Sequence, residues 1–559
     1  MMSKLFRFSE STKNITRDLA FLSIIFGLLF FVFLNSRPLS APDEGRYTEI
    51  PREMVESGDY VTPRLNGVKY FEKPPLLYWM GAASIKLFGP KEWAMRFWPA
   101  LLSLLGCLMV YGMGAMLYGR RPGLIAASAL GSCLYYYAHS QIMIIDSTVS
   151  FFMSLALFSF FLAHKNIENR SKNIYLTSFF ISMGLAVLAK GLIGAVLPGL
   201  VILIWSGIMR SWRTLLLAFK PWGIALFFLV VAPWHILVSL KNPEFPYFYF
   251  IHEHFLRFTT TVHGRKKFPG FFVPIFLLGW YPWVVFIPHV IKKTYLTLKS
   301  RLAEEPFLSF LMIWVVTIFI FFSVSNSQLI PYIHPIFAPF ALIIGRFLGQ
   351  LMDDNNTQSL ENALKGLITF SWMIAILLPI VLYHFDLPVP LILKLIVGLV
   401  ILTFIAGPLA VYWFYHTRSF RGAFISLLAF AIALNSLLTQ AWPYLEDRSI
   451  KPIAQYILAH RKSSEEVICF NRYYQDLPPY LGEIVTVVNW QGELEFGISQ
   501  EDTTSWMIDE NTFWKRWTNQ KKMYMVTRKV IFEQLDPQHR RLLHPILETQ
   551  EDILVTNME

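Results

Sequence analysis

The fold of this chain is decided by two consecutive stretches near its amino terminus, APDEGRYTEIPREM at Ala41–Met54 and SGDYVTPRLNGVKYFEKPPLLYW at Ser57–Trp79. An apolar run at Leu19–Leu34, long enough to cross a bilayer, precedes them. Only 16% of the whole chain is charged, yet charged residues crowd the segment from Asp43 to Lys73. Because so polar a segment cannot lie in hydrocarbon, we expect it at or outside one membrane face.

The charges in this segment follow a helical period. Glu49, Arg52, Glu53 and Glu56 recur at spacings of three and four beside apolar residues, which predicts an amphipathic helix on the membrane surface. A second such helix is predicted after Pro74–Pro75, since proline suits the first turn of a helix. The alternative is an ordinary solvated loop.

The composition predicts a protein with many membrane spans. The chain has 559 residues, of which 54% are hydrophobic, and its mean hydropathy is +0.45. These values are typical of a polytopic membrane protein rather than of a large soluble enzyme. Apolar runs predict about thirteen transmembrane helices, near residues 18–35, 93–118, 122–140, 142–164, 174–189, 191–209, 222–240, 270–291, 306–324, 329–349, 366–384, 388–415 and 421–441.

The character of the chain changes after Trp442. Residues 447–559 contain no apolar run of spanning length, and EEVICF, IVTVV and MYMVT read as short strands between helical patterns. We therefore expect a membrane domain at 1–446 and a small soluble α/β domain at 447–559. The latter shows no nucleotide-binding glycine loop, nucleophile elbow or zinc signature, which favours a structural or gating role.

The distribution of basic residues predicts the orientation. Lysine and arginine gather at the amino terminus and on alternate connections, so these share the cytoplasmic side. The 43–73 segment and the C-terminal domain then lie outside. One connection that this orientation places outside, Lys241–Pro269, is nevertheless rich in basic residues. Binding of an anionic ligand would explain these residues, and ordinary solvated turns are the alternative. The net charge of +11 is spread among spans, which argues against a nucleic-acid partner.

Several motifs carry a family resemblance: PDE-x-RY at Pro42–Tyr47, SGDY at Ser57–Tyr60, YFEKPP at Tyr70–Pro75, EHFLRF at Glu253–Phe258 and SQLIPYIHP at Ser327–Pro335. Their order and spacing resemble the GT-C polyprenyl-phosphate glycosyltransferases. Within that class they are most similar to the lipid A aminoarabinose transferases, which are relatives of the protein O-mannosyltransferases. The resemblance covers roughly residues 18–350.

The resemblance implies a GT-C fold with periplasmic amphipathic helices, in the bacterial inner membrane. It implies transfer of 4-amino-4-deoxy-L-arabinose, or a similar sugar, from undecaprenyl phosphate to lipid A phosphate at the periplasmic face. One alternative is a mannosyl or other hexosyl transferase acting on protein or another glycan. An alternative of another class is a sugar transporter or lipid flippase, although the polar residues gather on one side instead of at the midplane.

Two acids hold positions that the resemblance marks as catalytic. Asp43 follows the first span, and it would act as general base toward a hydroxyl acceptor. Toward a phosphate, which is already ionised, it would instead orient a cation, the sugar amine or the acceptor. Asp146 lies at the external end of a span and resembles the second family acid. The alternative for both is a helix N-cap.

Cations and aromatic residues are implied for the carrier phosphate and the sugar. The cations are Arg46, Lys73, Arg257 and Lys190, because charge-assisted contacts to phosphate are strong; surface ion pairs, and snorkelling for Lys190, are the alternatives. The aromatic residues are Tyr47, Tyr70 and Tyr332, which would line the site, although tyrosine at a membrane interface needs no functional reason.

The resemblance also implies a pair of residues that can hold a divalent metal such as zinc. These are Glu72 and His254, both competent zinc ligands but fewer than a closed site needs. The metal-free alternative is a hydrogen bond between them that shapes the pocket.

Two residues depart from the family pattern. Gln328 stands where a lysine is usual, and His334 stands where a leucine is usual. Loss of the lysine would alter binding of the acceptor phosphate, so it leaves the identity of the acceptor open.

Overall fold

The computed structural model of the protein describes residues 2–166, 168–256, 266–353, 357–384, 390–445, 449–519 and 521–558. Up to residue 445 the described elements are α1 (Met2–Phe31), α2 (Asp43–Ser57), β1 (Arg64–Leu65), β2 (Val68–Lys69), α3 (Leu76–Phe88), α4 (Glu92–Leu117), α5 (Arg120–Ser132), α6 (Leu134–Ser140), α7 (Ile145–Lys165), α8 (Asn169–Lys190), α9 (Ile193–Ile208), α10 (Trp212–Leu215), α11 (Pro221–Lys241), a π-helix (Tyr247–Leu256), α12 (Phe272–Gly279), α13 (Ile287–Arg301), α14 (Pro306–Val324), α15 (Phe337–Asp353), α16 (Thr357–His384), α17 (Leu391–His416) and α18 (Phe420–Leu445). Short 3-10 helices lie at Leu216–Phe219, Trp283–Phe286, Leu302–Glu304 and Ile330–Ile336.

The chain divides into two compact units. The first contains residues 1–34, 99–235 and 250–441, and the second contains 35–98, 236–249 and 442–559. The second unit therefore gathers three segments that are far apart in sequence. The predicted domain boundary at 446 falls on residues outside the described ranges and stays a prediction.

The predicted polytopic helical fold is confirmed. Within the described ranges, ten helices are long and apolar enough to cross a membrane, or eleven if one pair bent by 108° near Trp280 is a single span. Three of the thirteen predicted runs take another form, and one of these is the 270–291 run, which forms the bent pair. The 122–140 run breaks at Cys133, where the backbone is extended, and the 191–209 run gives α9, a helix of only 16 residues.

The amphipathic stretch forms helix α2 as predicted, but most of its charged side chains are buried instead of lying on a solvated face. Glu44 and Glu49 are fully buried, and Arg52 is also buried. The Nη1 atom of Arg37 donates to Glu44 Oε2 at 2.6 Å, and the Nε atom of Arg96 donates to Glu44 Oε1 at 2.8 Å. Arg52 Nη2 likewise lies 2.6 Å from Glu49 Oε1, so these partners offset much of the cost of burying the charges.

The pKa of Glu44 shows how strongly its two arginine partners stabilise the charged carboxylate. Burial alone would raise the pKa of Glu44, but the guanidinium groups of Arg37 and Arg96 outweigh it and hold that pKa well below its usual range. The carboxylate is therefore charged throughout the physiological range. It ties the start of α2 to the chain that precedes it and to the start of α4.

The C-terminal segment forms the predicted small α/β domain. Its elements are α19 (Lys451–His460), β3 (Glu466–Phe470), α20 (Leu477–Leu481), β4 (Thr486–Val488), α21 (Glu495–Ile498), β5 (Met507–Ile508), α22 (Glu510–Trp517), β6 (Met523–Arg528), α23 (Lys529–Gln534), α24 (Pro537–Arg540), β7 (His544–Glu548) and β8 (Asp552–Thr556). The strand order is β5-β4-β3-β6-β8-β7. Strands β5, β4, β3 and β6 run parallel, and β8 is antiparallel to β6 and β7. The three predicted strands are β3, β4 and β6.

The C-terminal domain packs on the 35–98 segment inside the second unit. Asn66, in the β1–β2 turn, donates to the carbonyl of Val485 and accepts from its amide, each at 2.9 Å. A Cβ atom added to Gly45 would lie 2.5 Å from the backbone nitrogen of Asp476. Only glycine therefore permits this approach of α2 to the start of α20.

Asp476 is a buried acid at this contact. It forms no ion pair within the described part of the chain, and burial raises its pKa to about 7. A raised pKa means that the folded state favours the neutral acid. The stability that this preference gives is complete below the ordinary pKa near 3.8 and is lost as the pH rises through 7.

We expect Asp476→Asn, which fixes the neutral form, to stabilise the protein at pH 8 relative to wild type and to stabilise it by less than half as much at pH 5. A shift of about three pH units bounds the gain in free energy of unfolding at roughly 4 kcal/mol. Thermal melting in detergent at the two pH values measures it. Asp502→Asn, at an exposed acid of the same domain, is the control, and an equal effect of Asp476→Asn at both pH values would contradict the assignment.

Candidate functional site

The guanidinium of Arg46 is the centre of a polar cluster in the second unit. Its Nη1 atom donates to the hydroxyl of Tyr70 at 2.7 Å and lies 2.8 Å from Glu493 Oε2. Its Nη2 atom donates to Asp43 Oδ1 at 3.1 Å. The guanidinium also lies 5.6 Å from the ring centroid of Tyr47. Helix α2 thus presents Asp43, Arg46 and Tyr47 together, as their spacing predicts.

The two carboxylates of this cluster differ in exposure. The side chain of Asp43 is 55% exposed, whereas that of Glu493 is 19% exposed. Burial raises the pKa of Glu493, although the Arg46 charge opposes this, and Glu72 and Asp43 add to the rise. Asp43 is therefore the acid of this cluster that a ligand can reach.

Asp43 and Asp146 are not helix caps. The N-cap position of α2 is occupied by Pro42, and that of α7 is occupied by Ile144. Neither residue forms a side-chain capping hydrogen bond. Each acid lies in the first helical turn and binds a cation instead. The N-cap alternative for these two acids is therefore wrong.

Lys73 and Glu72 lie at the end of the hairpin that carries Tyr70. The Nζ atom of Lys73 donates to the carbonyl of Glu72 at 2.8 Å and lies 3.7 Å from Glu72 Oε2. Both side chains are 16% exposed. Glu72 also interacts electrostatically with Tyr70 and Glu493, so it belongs to the surroundings of Arg46.

The first unit contains a second cluster, around Lys190. This lysine ends α8 and pairs with Asp146 in the first turn of α7. Its Nζ atom also lies 4.4 Å from the ring centroid of Tyr332, in the 3-10 helix Ile330–Ile336. The ion pair and the cation–π contact hold the lysine in place, so free snorkelling does not describe it.

Two predicted residues cannot be placed. Arg257 lies outside the described residues, and so does the side chain of His254 in the π-helix. The structure therefore brings together Asp43, Arg46, Tyr47, Tyr70, Glu72 and Lys73 in one unit, and Asp146, Lys190 and Tyr332 in the other. Among the described residues, no group of three or more His, Cys, Asp or Glu side chains could hold a metal.

The side chain of Gln328, at the position where the resemblance led us to expect a lysine, is not available to bind a ligand. It is 5% exposed, and its Nε2 atom donates to the carbonyl of Ser323 at 2.8 Å, near the end of α14. An amide can satisfy a terminal carbonyl in this way. The side chain thus terminates a helix and contributes no positive charge to a phosphate.

Sequence analysis missed Glu493. It sits in the 3-10 turn Gly492–Leu494 of the C-terminal domain, far along the chain from Arg46. The local sequence WQGELEFG at 490–497 contains two glutamates with no spacing signal to tell them apart. Only the folded second unit shows which one contacts the arginine.

Each of these two clusters, taken by itself, has the chemistry to bind an anionic, hydroxylated ligand. Buried or half-buried cations can bind phosphate oxygens, and carboxylates can accept from hydroxyl or amino groups. The tyrosines supply both hydroxyl donors and apolar ring faces. Such a combination is suited to a sugar attached to phosphate.

Comparisons with known proteins agree with this chemistry. A family model described as dolichyl-phosphate-mannose-protein mannosyltransferase matches residues 19–249, and one described as the aminoarabinose transferase C-terminal domain matches 453–557. An undecaprenyl phosphate-alpha-4-amino-4-deoxy-L-arabinose arabinosyl transferase of Aeromonas salmonicida is 33% identical over 62% of this chain and 63% of its own length. The protein of the same name from Edwardsiella ictaluri is 27% identical over 88% of this chain and 89% of its own length.

A solved structure extends the similarity over nearly the whole chain. The crystal structure of ArnT from Cupriavidus metallidurans bound to undecaprenyl phosphate superposes with a TM-score of 0.84 and 27% identity, covering 96% of this chain and 98% of that one. The same protein in the apo state gives a TM-score of 0.83. The alignments with the first two Aeromonas relatives span 63% of their length, whereas the fold similarity spans both units. The chain belongs to the lipid A aminoarabinose transferase family of GT-C glycosyltransferases.

Proposed function

We propose that this protein transfers 4-amino-4-deoxy-L-arabinose, or a similar sugar, from undecaprenyl phosphate to a lipid A phosphate at the periplasmic face of the bacterial inner membrane. The names of the relatives support the donor and the sugar, and the bound ligand of the similar ArnT structure supports the carrier lipid. The observation that carries the proposal is the set of acids, cations and tyrosines around Arg46. The family membership argues against the transporter or flippase alternative.

Sugar transfer sets a clear electrostatic task. A bond forms between an acceptor oxygen and the sugar carbon, and the bond from that carbon to the carrier phosphate oxygen breaks. The electron pair leaves with the phosphate, which gains negative charge. Fixed cations near that oxygen therefore stabilise the transition state more than the ground state.

Lys73 is a cation of the first cluster that fits this task. Arg46 already has two carboxylate partners, Asp43 and Glu493, which offset its charge. Lys73 Nζ lies 3.7 Å from Glu72 Oε2, a longer distance than the 2.8 Å between Arg46 Nη1 and Glu493 Oε2, and its side chain is 16% exposed. Arg46 then orients Asp43 and Tyr70, and Lys190 and Arg257 remain predicted phosphate ligands.

Asp43 faces solvent beside this arginine. A lipid A phosphate is already ionised and needs no general base, so with that acceptor the carboxylate orients the sugar amine or the acceptor. With a hydroxyl acceptor it would take the proton. Either role needs a negative charge on Asp43.

A divalent metal is not needed for this derivation. Of its two predicted ligands, the structure places the side chain of Glu72 but not that of His254. The described residues therefore do not by themselves fit a zinc site, and no step here is assigned to one. The zinc expectation stays a prediction.

The test of the proposal is mass spectrometry of lipid A from cells with and without the gene. Addition of an aminopentose to lipid A phosphate only with the gene supports it. An added hexose, or modification of protein or another glycan, would favour the hexosyl transferase alternative instead.

We expect the amino terminus to be cytoplasmic and residues near Arg64 and Glu501 to be periplasmic, because basic connections alternate sides. Arg64 and Glu501 form an ion pair at 2.9 Å, so one topology must place both on the same side. Cysteines introduced beside them at exposed Ser57 and Asp502 should react with an impermeant reagent in intact spheroplasts. Protection of both sites would overturn the orientation.

Asp43→Asn should lower turnover roughly hundredfold, the usual effect of removing one electrostatic contact to a transition state. The substitution keeps volume, and the exposed side chain should leave melting temperature and membrane level unchanged. Asp502→Asn, an exposed aspartate in the same unit, is the matched control. Wild-type turnover in the Asp43 variant would remove this residue from the reacting centre.

Lys73→Ala should reduce turnover with a short-chain carrier lipid by about tenfold or more, because a charge-assisted contact is worth roughly 1.5–3 kcal/mol. If the contact strengthens as the carrier phosphate gains charge, kcat falls as well as kcat/KM. Lys293→Ala, at an exposed lysine of α13, is the control. Equal kinetics for the two variants would show that Lys73 does not bind the phosphate.

A further inference from the structure

His334 is an ionisable residue buried within the first unit. It lies in the 3-10 helix Ile330–Ile336, which also carries Tyr332, and it is 3% exposed. Its ring is surrounded by aromatic rings: the centroid distances are 5.1 Å to His139, 5.2 Å to Tyr136 and 5.7 Å to Tyr135. Polar side chains at such depth are costly and commonly functional.

Neither ring nitrogen of His334 forms a hydrogen bond within the described part of the chain. A neutral imidazole has one N–H donor and one acceptor nitrogen, and leaving both unpaired in a buried site is destabilising. A leucine would fill a similar space without that cost. The histidine therefore implies a small polar partner beside it.

A cavity next to His334 can hold such a partner. It is lined by one tyrosine and four serines together with apolar groups, and it has room for about one water molecule. The polar residues that line it with His334 are Ser103, Tyr136, Ser147, Ser150 and Ser154. All four serines are buried, and hydroxyl groups can both donate to a water and accept from it.

The 3-10 helix Ile330–Ile336 connects the cavity with the Lys190 cluster, because it carries both His334 and Tyr332. Tyr332, two residues before His334, packs on Phe322 with 5.0 Å between ring centroids and lies 4.4 Å from Lys190 Nζ. The hydroxyl of Tyr135 donates to the carbonyl of Ile330 at 2.8 Å. Fixing His334 from the cavity side therefore fixes the face of the turn that meets Lys190.

We propose that His334 is a positioning residue that holds a buried water against the serines of α7 and thereby sets the place of Tyr332 against Lys190. It acts through Tyr332 and does not touch the substrate. Its effect on transfer rests on the phosphate role proposed above for Lys190. The water site itself does not depend on that role.

The test compares His334→Leu with His334→Gln, since a carboxamide restores one donor and one acceptor while leucine restores none. The first readout is independent of any substrate: the rate at which an amine-reactive acetylating reagent labels Lys190, followed by mass spectrometry of the peptide. We expect His334→Leu to label several-fold faster than wild type and His334→Gln to stay near wild type. A high-resolution structure should show the water in wild type and not in His334→Leu.

Sugar transfer gives the second readout. His334→Leu should lower kcat by about fivefold to tenfold, the worth of one hydrogen bond, and His334→Gln should recover most of it. His164→Leu, at a half-buried histidine at the other end of α7, controls for a general loss of packing. It should lower the melting temperature without changing Lys190 labelling.

The inference is overturned if His334→Leu labels Lys190 at the wild-type rate, or if His334→Gln behaves like His334→Leu. A water absent from the wild-type structure would overturn it as well. If labelling changes as expected but neither variant affects transfer, the water site stands and the phosphate role of Lys190 is wrong. The two failures are therefore distinguishable.

Discussion

The buried charges at the start of helix α2 are held in place by charged partners. Glu44 shows this most directly, since it is fully buried and contacts two guanidinium groups. Removing one partner of such a set costs much more than the set gains in stability. The position of α2, and with it that of Asp43 and Arg46, therefore depends on a network of paired charges rather than on apolar packing alone.

The fold was largely predictable because its signals are local. Apolar runs mark the spans, and a change in composition marks the C-terminal domain. Local reasoning failed where a tertiary contact decides the outcome. The break at Cys133 leaves no strong mark in a run that is apolar throughout, and the charges of α2 look like a solvated face until their partners are known.

The site was predictable to the extent that its residues share a short segment. Asp43, Arg46, Tyr70 and Lys73 lie within one stretch of sequence, and the structure does bring them together. Glu493 could not be found in this way, because its contact with Arg46 joins distant parts of the chain. Gln328 is a different case. Its identity suggested the loss of a phosphate-binding lysine, whereas in the structure its side chain donates a hydrogen bond to a carbonyl near the end of α14.

The close approach of Gly45 to Asp476 has a consequence for biosynthesis. Gly45 emerges from the ribosome early, while Asp476 and Glu493 follow after more than four hundred further residues. The second unit gathers segments 35–98, 236–249 and 442–559, so α2 must wait, incompletely packed, until the last of them has been made. Its buried acids are exposed during that interval, and a chain released before residue 476 cannot complete the surroundings of Arg46.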